Sequence, residues 1–300
     1  MILVAGATGM VGGEVCRLLR SEHEPVRALV RATSSPETIA KLGELGCEIV
    51  RGDLRVGATL ETACSGARAV ITTVSAMPFS WAADNTLDTV DLDVQRRLID
   101  AAAQAGVRHF TYVAFSGNID RPFPLRNAKR AVEAHLRASG LPYTILRPSY
   151  FAEVWLGPAV GFDYAAAKAT IYGGGRKPIS WISVADVARF AAASVDNPAA
   201  TDATLELGGP DALSPLQVVE LFEQAGGRKF AVTHVPEDAL EAQLTAAPDD
   251  LQRSFTALML CYAAGDAIPM GDTLRRFPVQ LTSVATYARQ AMAAAAPAGA

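Results

Sequence analysis

The sequence predicts an α/β chain built on a doubly wound parallel sheet, with a smaller, discontinuous α+β lobe attached. Three observations carry that prediction. Short β-branched runs alternate with helical patterns through the first half of the 300 residues, a glycine-rich turn joins the first run to the first helical pattern, and the alternation loosens after residue 150. The strand candidates are "ILVAG", "PVRALVR", "CEIVRGD", "AVITTVS", "HFTYVAF" and "YTILRP". Between them apolar residues recur at three- and four-residue spacing, as in Val11, Val15, Leu18 and Leu19, and again in Val94, Leu98, Ile99 and Ala102. That spacing buries one face of a helix, and strands alternating with crossover helices pair in parallel.

Beyond "LRPSYF" a second glycine-rich turn, "YGGGRKP", leads into "ISWISVADVARFAAASVDNP". This segment reads as a short strand followed by a helix that Asp186 begins and Pro198 follows. Residues 236–264 are mostly helical in pattern, with Asp249 and Asp250 placed to cap a helix. Residues 1–150 and 181–205 are therefore expected in the main sheet domain, and 151–180 and 206–290 in the smaller lobe. The low-complexity tail, 291–300, is expected to be frayed.

Half of the residues are hydrophobic and 19% are charged, enough for a substantial core. A net charge of −4 leaves no basic surplus for a nucleic-acid backbone, so a small molecule is the expected partner. Cys16, Cys47, Cys64 and Cys261 show no CxxC spacing and read as buried thiols, neither a zinc site nor a disulfide framework. His23, His109, His135 and His234 show no ligand spacing, and no metal is expected. The apolar N-terminus lacks a basic n-region, and no apolar run is long enough for a membrane span. These features point to a cytoplasmic protein. Uncharged helix faces are compatible with a homodimer.

In "GATGMVGGEV" the glycines fall as GxxGxxG, after a strand and before a helix. In a dinucleotide fold that context gives a tight turn at Gly6, backbone approach to a pyrophosphate at Gly9 and close packing at Gly12, with Thr8, Met10 and Val11 completing the cradle. A plain strand-turn-helix is the alternative. Arg31 stands at the end of the second strand, where an NAD-specific fold places a carboxylate. With Thr33, Ser34 and Ser35 after it, Arg31 suits a 2′-phosphate, or else is a solvated arginine on a loop, and NADP(H) is preferred over NAD(H). Asp53 and Leu54, in "RGDL", suit an adenine amino group and ring, or else form a simple loop turn. "TTVSAMP", with Val74 and Ser75, ends a strand in small residues that admit a nicotinamide ribose, or marks only the end of a buried strand.

Together "GATGMVGGEV", "VRGDL", "LIDAAAQAGVRHFTYV", "YTILRPSYFAE", "ISWISVADVARF" and "YAAGDAIP" resemble the NmrA-like group of atypical short-chain dehydrogenase/reductases, to about residue 285. The resemblance implies a Rossmann fold and one of two functions. One is an NADPH-dependent reductase acting on a small apolar conjugated acceptor of quinone, enone or aromatic natural-product type. The other is a non-catalytic NADP(H)-binding redox sensor that regulates a partner. Ordinary short-chain reductases pair a tyrosine with a lysine four residues later. Here Lys129 has Leu125 in the tyrosine position.

The resemblance implies that Lys129, read as beginning an amphipathic helix, holds the ribose and relays a proton. From its spacing alone it is equally a surface lysine. Ser116 is an offset match to the family serine, whose position is held by Ala114. It is a candidate for a substrate carbonyl, or a turn residue. Tyr150 and Phe151 fall where the family packs against the nicotinamide. Phe79, Trp81, Trp155 and Tyr164 are candidates for an apolar cleft, with Tyr150 or Tyr164 as the missing hydroxyl, though each taken singly reads better as core.

Overall fold

A computed structural model describes residues 1–77 and 85–295. In chain order the strands are β1 (Ile2–Ala5), β2 (Val26–Val30), β3 (Glu48–Arg51), β4 (Ala69–Thr72), β5 (His109–Val113), β6 (Tyr143–Pro148), β7 (Phe162–Asp163), β8 (Lys168–Tyr172), β9 (Ala203–Leu207) and β10 (Ala231–Val235). The helices are α1 (Met10–Ser21), α2 (Pro36–Glu44), α3 (Gly57–Cys64), α4 (Val94–Gln104), α5 (Pro124–Ala138), α6 (Ala152–Trp155), α7 (Val184–Ser194), α8 (Pro215–Gly226), α9 (Glu237–Ala246), α10 (Asp250–Ala264), α11 (Gly271–Arg276) and α12 (Val284–Ala295). A π-helical turn, Leu87–Asp93, runs directly into α4.

The chain divides into two compact units, the first comprising 1–115, 124–147 and 187–205, the second 116–123, 148–186 and 206–300. The first is organised on a seven-stranded sheet of order β3-β2-β1-β4-β5-β6-β9. Its registered pairs from β3 to β6 are parallel, for example Val4 opposite Ala28 and Ile71. The chain starts at β1, winds outward to β3, then returns past β1 to β4, so the strand order reverses between β1 and β4. Both faces of the sheet are covered, which is why β1, β4 and β5 are buried end to end without alternation. Val15 and Leu19 of α1, and Leu98, Ile99 and Ala102 of α4, supply the helical side of that core.

The second unit holds a three-stranded sheet of order β10-β8-β7, with β8 parallel to β10 and antiparallel to β7. Two aromatic groups fill it. Tyr150 packs edge-on against Trp155 at 4.8 Å and Tyr262 at 5.8 Å, and Phe162 packs against Phe222 at 4.8 Å.

Four local expectations change. Residues 179–183 form single bridges, Ile179 to Leu213 and Asp266, and Ile182 to Phe151, and no continuous strand, because their partners are irregular segments. Helix α7 starts at Val184, two residues before Asp186. Asp186 turns its carboxylate to Thr282, which donates through its N–H at 2.7 Å and its hydroxyl at 3.1 Å. Lys129 is the sixth residue of α5, which opens on Pro124, a residue suited to a first turn. At the other end, alanine-rich α12 continues to Ala295. Residues 296–300 of the tail, and Phe79 and Trp81, lie outside the described residues. Asp249 caps α10, its carboxylate accepting from the Gln252 N–H at 2.7 Å, and all four cysteines are free and buried.

Candidate active site

The turn from β1 to α1 is made of backbone. Gly6 has φ +86°, and a Cβ there would stand 2.6 Å from the Thr73 hydroxyl. A Cβ on Gly12 would fall 2.1 Å from the Gly6 carbonyl oxygen, so the helix approaches the strand end as closely as a glycine allows. Gly9 differs, for its Cβ would meet only the Gly6 oxygen, at 3.3 Å. It is the N-cap of α1 and brings no side chain to cap the helix. The first bond into the helix runs from the Gly13 N–H to the Gly9 oxygen, 2.9 Å. The N–H groups of Met10, Val11 and Gly12 precede it and are not satisfied by the helix, leaving a donor-rich N-terminus suited to an anion. The Met10 side chain is 48% exposed, so its contribution here is backbone.

This turn forms one wall of a solvent-open cleft in the first unit. Its other walls are strand ends: Leu29 and Arg31 from β2, Gly52 to Arg55 after β3, and Thr73, Val74 and Ser75 after β4, with Asn85, Val90 and Val94 closing it. The cleft therefore lies at the C-terminal ends of parallel strands, where the strand order reverses. Open α/β sheets bind ligands at that point.

At the β2 end, Arg31 and Ser34 close a small ring. The Arg31 N–H donates to the Ser34 hydroxyl at 3.2 Å and the Ser34 N–H to the Arg31 carbonyl at 3.1 Å. Ser34 shapes the turn that carries the guanidinium to the cleft. Asp53 is claimed by a neighbour. Its Oδ1 accepts from the Arg55 N–H and Nε, both at 2.9 Å, and its Oδ2 from the guanidinium at 2.5 Å. Arg55 holds the carboxyl below its ordinary value against the opposing effect of burial, and Arg31 adds to the lowering. Leu54 packs against the main core.

Behind Ser75 the site is made of buried side chains. Gln95 accepts from the Thr72 hydroxyl at 3.0 Å and donates to the Val74 carbonyl at 2.8 Å, fixing the end of β4. Asp91, fully buried in the π-helical turn, accepts from the Ala76 N–H at 2.9 Å through Oδ2. Its Oδ1 lies 3.2 Å from the Lys129 ammonium, out of hydrogen-bond alignment. Lys129, expected on a surface or at a cofactor, is 4% exposed, and its ammonium stands over the Tyr112 ring, 5.5 Å from the centroid. The Tyr112 hydroxyl is buried without a hydrogen-bond partner among the described residues, and burial, with Asp91 and Glu133 adding, pushes its ionisation far up.

Ser116, Tyr150 and Phe151 belong to the second unit. The Ser116 hydroxyl is fully buried and donates to Asp266 Oδ1 at 2.7 Å, and the Asn118 amide donates to the same oxygen at 2.8 Å. The Tyr150 hydroxyl donates to the Leu258 carbonyl at 3.1 Å, and burial raises its ionisation well above the ordinary tyrosine value. Phe151 bridges to Ile182 through its backbone. Tyr164 stacks on Phe222 at 5.8 Å.

With this geometry established, the family can be assigned. The model of the NmrA-like family matches residues 1–285. The chain belongs to the NmrA-like family. Among its relatives, the isoflavone reductase homolog IRL of Zea mays is 31% identical over 82% of this chain and 81% of its own length. The photosystem II assembly factor Ycf39 of Trieres chinensis is 29% identical over 78% of this chain and 72% of its own. Among solved structures, the NADPH-dependent quinone oxidoreductase QOR2 of Escherichia coli, complexed with NADPH, superposes with a TM-score of 0.77 at 22% identity, covering 97% of this chain and 99% of that one. Its likeness shows the shared fold.

In this NmrA-like chain, eight residues singled out from the sequence line one cleft: Gly6, Thr8, Gly9, Arg31, Asp53, Leu54, Val74 and Ser75. Sequence reasoning missed Arg55, Asp91 and Gln95. Arg55 had a legible signal, since an Asp two residues before an Arg invites a local turn with its carboxylate turned back. Asp91 and Gln95 sit in a helical run where nothing in the spacing sets them apart. Among the described residues no helix is long and apolar enough to cross a membrane, and no cluster of His, Cys, Asp or Glu side chains suits a metal.

Proposed function

We propose that this NmrA-like chain is an NADPH-dependent reductase that passes hydride to a small, apolar, conjugated acceptor of quinone, enone or aromatic natural-product type. The observation that carries the reading is the uncapped N-terminus of α1 beside the open face of Gly9, in a cleft that also receives Arg31. A dinucleotide fits this set of groups. The α1 amides suit its pyrophosphate, Arg31 beside Ser34 suits a 2′-phosphate, and Leu54 offers an apolar wall to adenine. Asp53 is tied to Arg55, so Arg55 joins Arg31 in giving the adenine end a net positive charge. Bound there, the cofactor supplies the hydride. Lys129 holds the ribose hydroxyls and assists protonation. The isoflavone reductase homolog and the NADPH-bound quinone oxidoreductase support this reading.

A second reading, a non-catalytic NADP(H)-binding regulator, has its own support. The hydroxyls of Ser116 and Tyr150 are donated to Asp266 and to the Leu258 carbonyl, and one relative is an assembly factor. The test is NADPH oxidation, followed by nicotinamide absorbance, against quinones, enones and aromatic carbonyls, with Lys129→Ala in parallel. Turnover lost in the variant while NADPH still binds supports the reductase. Tight binding with no acceptor consumed supports the regulator.

A further inference from the structure

Asp91 touches two groups from distant parts of the chain, one of them next to the cleft wall at Ser75. Its Oδ2 accepts from the N–H of Ala76, the residue after Ser75, and its Oδ1 faces the Lys129 ammonium at 3.2 Å. Val90, which precedes it, lines the cleft. Holding the end of β4 does not by itself require Asp91, because Gln95 already bonds Thr72 and Val74. Nor does the Ala76 N–H require a charge, since an amide oxygen at position 91 would accept from it as well. Among the described residues the neighbour that calls for a carboxylate is Lys129, which faces Asp91 from the π-helical turn and the ring of Tyr112 from β5. A buried ion pair of this kind adds little stability over apolar packing, and its misaligned geometry is that of an ammonium waiting to be re-aimed by a further acceptor.

We infer that Asp91 is a positioning residue, tying the Lys129 ammonium and the loop after β4 to one point so that lysine and cleft wall meet the bound nicotinamide ribose together. The inference rests on the dinucleotide reading of the cleft and assigns a role to a residue that the sequence motifs leave unmarked.

A double-mutant cycle on the full chain tests it, using Asp91→Asn, Lys129→Met and the pair. The readouts are the affinity and emission spectrum of bound NADPH, together with kcat and KM for an acceptor that the wild type reduces. Asp91→Asn keeps the acceptor for Ala76 and removes the charge. Its expected result is bound-NADPH emission displaced toward that of the free cofactor and kcat lowered about tenfold or more, with acceptor KM nearly unchanged. In the Lys129→Met background, where turnover is already lost, the same substitution is expected to leave the emission spectrum of bound NADPH unchanged, because Asp91 acts through the lysine. Effects that add in the two backgrounds, or an Asp91→Asn protein with wild-type emission and kcat, overturn the inference. If Asp91→Asn does not fold, Asp91→Glu, which keeps the charge but moves it by one methylene, is compared in the same two backgrounds against the same outcomes. A wild type that binds NADPH but turns nothing over leaves the emission cycle to decide. A wild type that binds no dinucleotide overturns the cofactor reading and this inference together, and is told apart by its failure before any variant is made.

Discussion

The turn between β1 and α1 lines the cleft, the region behind Ser75 backs its β4 wall, and the two are built from opposite materials. The first is backbone throughout: a left-handed glycine, a glycine that lets helix meet strand, and a helix end that no side chain caps. The second is a set of buried polar side chains, Gln95, Asp91 and Lys129, drawn from three positions and held by one another and by the end of β4. The difference teaches how a site divides its work. Backbone donors suit a part of the ligand that needs only a fixed anion cradle, whereas an ammonium with a counter-charge suits a part where hydroxyl groups and a proton must be placed.

Four measurements break or sharpen that contrast. The largest effect is expected on the side-chain half. Lys129→Met leaves the Asp91 carboxylate buried and uncompensated, which costs about 3–5 kcal/mol in chemical denaturation. A loss under about 1 kcal/mol would mean that the pair is solvated and the half is not built as described. Next come the glycines, which are expected to separate stability from binding. Gly12→Ala drives a Cβ toward the Gly6 carbonyl and costs about 1–3 kcal/mol. Gly9→Ala, with only a 3.3 Å approach to relieve, keeps most of its stability and loses NADPH affinity. Equal effects of the two on unfolding would erase the distinction between packing and cradle.

Third, titration of Arg31→Ala with both cofactors is expected to weaken NADPH about tenfold or more while NADH changes little, the loss of one charge-assisted contact. Parallel losses for the two cofactors would remove the 2′-phosphate from this end. The smallest effect is a slope. Burial alone would raise the Glu133 carboxyl, but Arg147 at 2.5 Å and Arg130 at 2.7 Å bring it below its ordinary 4.5. A depressed folded value gives stability that is present above pH 4.5 and is lost as pH falls through the folded value. Melting temperatures of Glu133→Gln should therefore fall less steeply than wild type in that acid window, and identical slopes would show that the arginine cluster contributes nothing to acid stability.

What could be read from the sequence follows the same division. Glycine at positions 6, 9 and 12 is a local signal, because the turn, the close packing and the helix entry are consequences of consecutive residues. Buried strands such as "AVIT" announce themselves by composition, and α4 by the spacing of Leu98, Ile99 and Ala102. The partners of side chains are another matter. That Lys129 points inward to Asp91 and that Ser116 meets Asp266, 150 positions away, are results of tertiary packing to which no periodicity corresponds. The segment 179–183 shows the limit from the other side. Its β-branched residues suit a strand, but a strand needs a regular partner and these residues find only single bridges.

The π-helical turn has a consequence for insertions and deletions. From Leu87 to Asp93 the backbone winds wider than an α-helix, and the Val94 N–H reaches back five residues to the Thr89 carbonyl. Such a turn accommodates one residue more than an α-helix over the same path. Removing a single residue between Leu87 and Asp93 would let the segment continue the winding of α4 and rotate position 91 about the axis, with α4 itself unmoved. The charge opposite Lys129 depends on chain length as much as on residue identity.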